Sequence, residues 1–130
     1  MKKVSIIAVL LATVIVSQAQ TFICTDMNYV GKELDPQVVR KEKEQFFGSE
    51  AMLTIYDNSL RLSYKADGKT KSYIYDKVKD SEYQRIDKIG NGKTRKRVIK
   101  LHKIIAYIKS FSFESYYDNE LQGKVVFKRK

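Results

Sequence analysis

The sequence predicts a mainly β protein, an antiparallel meander of about eight strands that forms a small barrel or a curved sheet. Three observations support this prediction. Apolar and polar residues alternate along several short segments, turn-forming residues separate these segments, and the connections are too short to hold crossover helices. The one exception is a helical pattern over about residues 36–47, which follows the first strand. We therefore expect an antiparallel domain with a single short helix.

Residues 59–65 show the alternation most clearly, with Leu and Tyr at every second position and Arg, Ser and Lys between them. Because successive side chains of a strand point to opposite faces, this pattern is typical of a strand with one buried face. Residues 110–117 repeat it, with Phe and Tyr on the apolar face. The same reasoning predicts further strands at 22–27, 52–57, 71–78, 82–89, 96–105 and 124–129.

Turn-forming residues separate the predicted strands. Asp57-Asn58 lies between two of them, and Asp67-Gly68 is a dipeptide that a two-residue type I′ turn prefers, because both positions take a positive φ. Similar residues at 79–81, 90–92 and 118–119 mark the later corners. Consecutive strands are therefore expected to pair as antiparallel neighbours, at least from residue 52 to residue 105.

The helix is predicted from its two ends. Asp35 is a suitable N-cap, Pro36 fits the first helical position, and Gly48 follows the last helical residue as a stop signal. The apolar stripe between them is only partial, so a charged loop is the competing interpretation. A helix here would cover a sheet edge or one end of a barrel.

The order of elements leaves the closure of the sheet open. A closed barrel, an open curved sheet with the helix against its concave face, and a two-sheet sandwich all fit it. Residues 20–130 contain no internal repeat, no low-complexity tract and no linker, so we predict a single antiparallel β domain.

The first nineteen residues have the features of a cleaved signal peptide. Lys2-Lys3 provides a positive start, residues 4–16 are almost entirely apolar, and Ser17 and Ala19 are small residues at the positions that a signal peptidase reads. The apolar run, of about 13 residues, is too short to cross a bilayer as a helix. We expect a bacterial protein exported through the secretory pathway, soluble in the periplasm or secreted, with no membrane span after signal removal.

The composition is basic and aromatic. The chain has 25 Lys and Arg against 15 Asp and Glu, with nine Tyr, six Phe and no Trp, and its formal charge of +10 falls to +8 when residues 1–19 are removed. Basic residues among aromatic ones also fit a single-strand nucleic-acid binder, in which tyrosines such as Tyr64, Tyr73, Tyr75 and Tyr83 would form a stacking platform. Export argues against a nucleic-acid partner.

A basic cluster near residue 97 is the strongest local charge signal. Its spacing fits contacts with the sulfate, phosphate or carboxylate groups of a polyanion. Alternate residues of a strand face opposite ways, however, so the simpler interpretation is a solvated strand face that discourages edge pairing. The candidate residues are Lys93, Arg95, Lys96, Arg97, Lys100 and Lys103.

The residue types that usually carry chemistry are sparse. Cys24 is the only cysteine and lies five residues beyond the predicted cut, so we expect a buried strand residue rather than a disulfide or a lipid anchor. His102 is the only histidine, and a metal site built from His and Cys needs three or four ligands. Most acidic residues lie in predicted turns without the spacing of a catalytic pair. We therefore predict no enzyme activity, no metal and no cofactor.

Two function classes remain. The first is a non-enzymatic binding module for an apolar or amphiphilic ligand in a barrel or cleft, although the same residues could simply fill a solid core. The second is a cell-envelope protein whose basic surface docks on acidic polysaccharide, lipid headgroups or a protein partner. The residues predicted to line the cleft are Leu53, Ile55, Leu60, Leu62, Phe111 and Phe113, with Ile74, Ile99 and Leu101 as further members.

Overall fold

Over the residues that it describes, the computed structural model shows a closed antiparallel barrel of eight strands with one helix. It describes residues 19–31, 34–66, 68–105 and 107–130. Every strand pairs with the next one along the chain, and the last strand pairs with the first. The elements are β1 (Ala19–Tyr29), α1 (Pro36–Phe46), β2 (Glu50–Ile55), β3 (Ser59–Ala66), β4 (Lys69–Lys79), β5 (Glu82–Gly90), β6 (Lys93–Ile104), β7 (Tyr107–Tyr117) and β8 (Glu120–Arg129).

The predicted meander is confirmed, and the sheet is closed rather than open. Each of the eight predicted strands is present, and the predicted helix follows the first strand. The largest difference is β1, which is predicted at 22–27 and extends from Ala19 to Tyr29. β1 pairs with β2 on one side and β8 on the other, so its length depends on its partners as well as on its own pattern. Of the predicted signal peptide, only Ala19 belongs to the described residues.

The helix begins and ends where the sequence predicts, within one residue. The carboxylate of Asp35 accepts a hydrogen bond from the backbone N–H of Gln37 at 2.9 Å, and Pro36 is the first helical residue. After Phe46 the chain turns through Gly48, whose φ of +78° favours glycine. Within the part of the chain that the structure describes, no helix has both the length and the apolar character required to cross a bilayer.

Several of the predicted turns adopt left-handed backbone angles. Asp118 and Asn119, with φ of +48° and +68°, make the tight link between β7 and β8, as a type I′ turn requires. Between β5 and β6, residues 90–92 all have positive φ. In the predicted Asp67-Gly68 turn, Gly68 has a φ of +73°, while Asp67 lies outside the described residues.

One half of the barrel interior is solid. The ring of Phe111 packs edge-on against Phe22, with centroids 5.1 Å apart, and stacks on Phe127 at 4.7 Å. Leu53 and Leu60 are fully buried beside them. Burying a side chain of this size contributes about 1.5–3 kcal/mol, so this half provides most of the hydrophobic stabilisation.

The opposite half is the end at which α1 lies. The hairpin turns β3–β4, β5–β6 and β7–β8 are at this end, together with the links from β1 through α1 to β2. Phe46, in the last turn of α1, packs edge-on against the ring of Tyr64 on β3, with centroids 6.0 Å apart. The helix therefore covers an end of the barrel, one of the two positions that the sequence analysis allowed.

The seam between β4 and β5 is the shortest in the barrel. Pairing joins Asp76–Lys79 of β4 to Glu82–Gln84 of β5 and stops there. Among the described residues, none of 69–75 pairs with any of 85–90, so the two strands separate towards the α1 end. All other neighbouring strands pair over five residue positions or more.

Cys24 is buried in the middle of β1, as its apolar neighbours indicate. Its side chain is 1% exposed, its N–H donates to the carbonyl of Ser49, and its carbonyl accepts from the N–H of Gly48. Burial raises the pKa of the Cys24 thiol above its ordinary value. Since the thiolate is the reactive form, both factors make this thiol inert in the folded protein.

We expect Cys24 to react with 5,5′-dithiobis(2-nitrobenzoate) only when the barrel opens. The native protein should release nitrothiobenzoate at least a hundredfold more slowly than the same protein in denaturant. The control is Met52→Cys in a Cys24→Ala background, because Met52 is 43% exposed on the neighbouring strand. Equal rates for the two native thiols would contradict the burial of Cys24.

Candidate ligand-binding site

A cavity of about 450 Å³ occupies the barrel at the α1 end. Its floor is formed by Leu62, Tyr75, Phe113 and Phe127, which separate it from the solid half. At roughly 30 Å³ per water molecule, the space would hold about fifteen waters, so it is far larger than a packing defect. Its volume lies within the range of about 300–1,000 Å³ that is typical of small-molecule sites.

The cavity wall is unusually aromatic. Aliphatic side chains contribute less, from β1, β3, β8 and the link before α1 (Met27, Leu62, Val125 and Leu34). Aromatic rings supply large apolar faces together with an electron-rich surface that attracts cations and other rings. The aromatic lining residues are Tyr29, Phe46, Tyr64, Tyr75, Phe113, Tyr116, Tyr117 and Phe127.

Two arginines of β6 bring positive charge to the cavity. Arg95 and Arg97 both line it, since alternate residues of a strand share a face. The register between β5 and β6 places Asp87 opposite Arg95, and Arg85 opposite Arg97. Three guanidinium groups and a single carboxylate therefore lie on one face of this pair of strands.

The arginines at this wall differ in how closely they approach a carboxylate. The Nε atom of Arg85 donates to both carboxylate oxygens of Asp87 at 3.3 Å. The Nη1 atom of Arg97 is 3.7 Å from the nearer oxygen of Asp87, beyond hydrogen-bond distance. Among the described residues, no carboxylate lies within ion-pair distance of Arg95. The carboxylate of Asp87 is thus largely engaged by Arg85, and the wall keeps an excess of positive charge.

Arg85 also reaches across the open part of the β4–β5 seam. Its guanidinium lies 4.8 Å from the centroid of the Tyr73 ring on β4. Tyr73 in turn stacks with Tyr64 of β3, with ring centroids 6.0 Å apart. Because backbone pairing is absent at this level, the contact between Arg85 and Tyr73 is a side-chain link between β4 and β5.

The helix above the cavity is attached by few side chains. Glu42 accepts a hydrogen bond from the hydroxyl of Tyr29 at 2.9 Å, and the Nζ atom of Lys43 lies 5.9 Å from the centroid of the same ring. Burial, followed by the hydrogen bond with Glu42, raises the pKa of Tyr29 well above its ordinary value. Tyr29 therefore remains a neutral donor and joins the helix to the barrel wall.

Gly123 allows Tyr29 to lie close to the wall. A Cβ atom at Gly123 would be 3.1 Å from a ring carbon of Tyr29 and 3.2 Å from the carbonyl oxygen of Asn28. A larger residue would therefore move the Tyr29 ring or the backbone of β1. This position is a steric requirement of the cavity wall that the sequence pattern does not reveal.

The residues predicted to line an apolar site divide between the two halves of the barrel. Leu62 and Phe113 line the cavity. Leu53, Leu60 and Phe111 belong to the solid core, where they are at most 1% exposed. Alternation identifies the inward face of each strand but does not show how far along the barrel the interior is filled.

The remaining members of that set lie elsewhere. Ile55 is partly buried against the core, and Ile99 and Leu101 are part of it. Ile74 is 50% exposed, because its neighbours Tyr73 and Tyr75 on β4 face inwards and turn it to the outer face. The prediction that Ile74 lines the site is therefore wrong, because Ile74 faces the side of β4 opposite to Tyr73 and Tyr75.

The basic cluster does not form one surface. Arg95 and Arg97 line the cavity, whereas Lys96 and Lys100 lie on the outer face of the same strand. Lys96 stands over the ring of Tyr116 at 4.9 Å. The division between two faces is the arrangement that strand alternation predicts.

The other lysines of the cluster are spread along β6. Lys93 and Lys103 lie near its two ends, roughly 30 Å apart at the rise of an extended strand. Lys103 is 3.7 Å from Asp80, and Lys100 is 3.0 Å from the buried carboxylate of Glu114. The hydrogen bond with Glu114 raises the pKa of Lys100 above its ordinary value. Two of the lysines are thus matched with nearby acids.

The tyrosines considered for a stacking platform are not on an open surface. Tyr75 is 1% exposed and Tyr83 is 3% exposed, and Tyr64 and Tyr73 pack against the core. Sequence reasoning missed their connection with the arginines because it depends on β5 pairing with β6 in one particular register. The alternation of residues 82–89 could have indicated this connection, because it places Arg85 and Asp87 on the same face of the strand.

Cys24 and His102 lie on strands that are not neighbours. Cys24 is buried in β1, while His102 is exposed on β6. Among the described residues, no group of three or more His, Cys, Asp or Glu side chains comes together in a way that could hold a metal ion. The chemical character of the site therefore comes from its arginines, tyrosines and apolar residues.

No protein family matches the chain, and no curated protein matches it.

The buried tyrosines make the stability of the barrel sensitive to alkaline pH. Burial raises the pKa of Tyr75 well above its ordinary value, and it also raises the pKa of Tyr64 and Tyr83. Above about pH 10 the unfolded chain loses phenol protons that the folded protein keeps. The unfolded state then binds fewer protons, so the free energy of unfolding falls as the pH rises.

We expect this fall to be on the order of 1.4 kcal/mol per pH unit above pH 10 for each tyrosine that stays neutral. Tyr75→Phe should remove one such contribution and flatten the loss measured by urea unfolding between pH 9 and pH 11. Tyr107→Phe, which changes a half-exposed ring, is the control and should follow the wild-type curve. Parallel curves for Tyr75→Phe and wild type would contradict the assignment.

Proposed function

We propose that this protein is an exported, non-enzymatic binding protein that holds one apolar or amphiphilic small molecule inside its barrel. The observation that supports the proposal is the cavity of about 450 Å³ at the α1 end. An eight-strand barrel can be completely filled by side chains, and one half of this barrel is filled. The space in the other half is therefore a specific feature of the chain.

The surroundings of the cavity support a binding role. Its floor and walls are mainly apolar and aromatic, with polar groups confined to a few positions, which is the usual composition of a small-molecule site. The α1 helix covers the cavity but is attached through few side chains, among them Glu42 and Phe46. A weakly attached cover can move aside for a ligand without unfolding the solid half.

The polar groups at the cavity favour binding over catalysis. Arginine stays protonated at physiological pH and does not serve as a general base. Asp87 is engaged by Arg85, and Glu42 accepts a hydrogen bond from Tyr29. The hydroxyl–carboxylate pair at this site is Tyr29 and Glu42, and burial raises the pKa of Tyr29, which opposes formation of a nucleophilic phenolate. We therefore propose no catalytic step.

Docking of the outer surface on acidic polysaccharide, lipid headgroups or a protein is the alternative. The geometry favours the cavity, because the six basic residues of β6 are divided between two faces and spread over the length of the strand. Two of the lysines are also matched with Glu114 and Asp80.

The binding proposal is tested with the neutral fluorescent dye N-phenyl-1-naphthylamine. We expect saturable binding with one site per chain and a blue-shifted emission, because the dye moves from water into an apolar site. Val125→Phe places a larger side chain in the cavity and should weaken binding at least tenfold, measured by fluorescence titration.

The matched control is Val126→Phe. Val126 is the next residue on β8 and points to the outer face, so this substitution adds the same volume outside the barrel. It should leave the dye affinity within about twofold of wild type. Absence of dye binding, or equal losses in the two variants, would contradict the cavity as the binding site.

The proposal includes export, which rests on the pattern of residues 1–19. Expressed in a bacterium, the full chain should yield a mature protein that begins at Gln20, as shown by its intact mass. Ala19→Arg should block the cut and leave the precursor, because signal peptidase requires a small residue there. Ser59→Arg is the control and should be cut normally. Recovery of the wild-type chain only at the full precursor mass would contradict export.

A further inference from the structure

We propose that the natural ligand is a small aromatic molecule with one anionic group, a carboxylate or a group of similar charge, and that Arg95 and Arg97 bind this group. The inference rests on the proposed function, since it specifies the class of ligand for the same cavity. Three features of the site support it: the excess of positive charge, the position of the two arginines, and the aromatic walls.

The excess of charge requires explanation. Three arginines share one face of the β5–β6 pair with a single carboxylate, Asp87, and that carboxylate is hydrogen-bonded by Arg85. Arg97 is enclosed, with only 24% of its side chain exposed, and its closest approach to Asp87 is 3.7 Å. Asp87 is thus within ion-pair distance of Arg97 but accepts no hydrogen bond from it, and a partly enclosed guanidinium whose N–H groups lack acceptors is costly. An anionic ligand would supply the missing hydrogen-bond acceptors.

A purely structural role accounts for only part of this arrangement. Asp87 needs a cationic partner, and Arg85 provides it with two hydrogen bonds while also contacting the Tyr73 ring. Arg95 and Arg97 are not needed to neutralise Asp87. They nevertheless take inward positions on β6, where the alternating pattern of the strand otherwise places apolar residues such as Ile99.

The two arginines are placed to act on the same group. Their Cα positions are separated by about 7 Å, two residues along an extended strand, and both side chains border the cavity. Guanidinium groups offer several N–H donors in a planar fork, which matches the two oxygens of a carboxylate. Ser115, which is opposite Arg97 on β7, lines the cavity at the same level and adds a hydroxyl donor.

The aromatic walls favour a planar apolar body over a flexible chain. From Ser115, which lies beside the two arginines, β7 runs to Phe113 on the cavity floor. There the ring of Phe113 meets the ring of Tyr75 edge-on, with centroids 6.3 Å apart. Rings pack favourably against rings in stacked or edge-on arrangements. A ligand with its anionic group at Arg97 would therefore place its rings between Tyr64, Tyr75 and Phe113.

The test uses two dyes that differ in one group. 8-Anilinonaphthalene-1-sulfonate has the ring system of N-phenyl-1-naphthylamine with a sulfonate added, so the ratio of their affinities isolates the effect of the charge. Arg97→Gln should lower the affinity for the sulfonate dye by roughly ten- to a hundredfold, as expected for loss of a charged hydrogen bond. Any effect on the neutral dye should be smaller, so the ratio of the two affinities is expected to fall.

The matched control is Lys96→Gln, which removes one positive charge from the adjacent position on the outer face. It should leave the affinity ratio of the two dyes unchanged. Arg95→Gln is a second cavity variant and should lower the ratio in the same direction. It keeps the test informative if Arg97→Gln impairs folding, which thermal unfolding would reveal.

Competition extends the test from sulfonate to carboxylate. 2-Naphthoate should displace N-phenyl-1-naphthylamine at lower concentration than the neutral 2-naphthalenemethanol, and decanoate should displace it less well than 2-naphthoate. Equal displacement by the acid and the alcohol would overturn the role of the anionic group. Stronger displacement by decanoate would overturn the preference for an aromatic body.

The outcomes separate this inference from the proposed function. If the neutral dye binds and is blocked by Val125→Phe, but the dye ratio is the same in Arg97→Gln and Arg95→Gln as in wild type, the binding function stands and the anionic ligand is excluded. If Lys96→Gln lowers the ratio as much as Arg97→Gln does, the sulfonate dye binds the outer surface and the inference fails. If neither dye binds, both proposals fail.

Discussion

The pairing of the first strand with the last is the interaction on which the rest of the structure depends. β1 and β8 pair from Phe22 opposite Arg129 to Tyr29 opposite Gly123, and the N–H of Lys130 continues the contact to Thr21. Without this ladder the strands would form an open sheet with two long edges. Closure turns one apolar sheet face into an enclosed interior. Both the solid core and the cavity exist only because residues a hundred positions apart meet.

The size of the inward side chains then divides that interior. In one half, the rings of Phe22, Phe111 and Phe127 fill the cross-section. In the other half, the wall includes Ser115, with a small side chain, and Gly123, with none, and these positions leave space in the middle. A barrel of constant strand number thus has a filled end and an open end. The filled end supplies stability, so the open end can hold costly charge and a loosely attached helix.

Local patterns predicted the elements, and long-range pairing determined the site. The alternation of residues 59–65 and the turn at Asp118-Asn119 act within a few residues, so both were predictable. Alternation placed Leu60 and Leu62 on one face but could not show that a core begins between them. Likewise, the basic run at 93–103 contains the two inward arginines, but their position opposite Arg85 and Asp87 is found only from the β5–β6 register.

The short seam between β4 and β5 gives the closed barrel two free strand segments. The edges of 69–75 and 85–90 that face each other carry backbone N–H and C=O groups without a partner strand. Amide protons at this edge are expected to exchange with solvent without the breaking of a ladder bond. The barrel can therefore open locally at this seam while the β1–β8 ladder stays paired. The protein thus combines a paired β1–β8 closure with one unpaired seam next to its cavity.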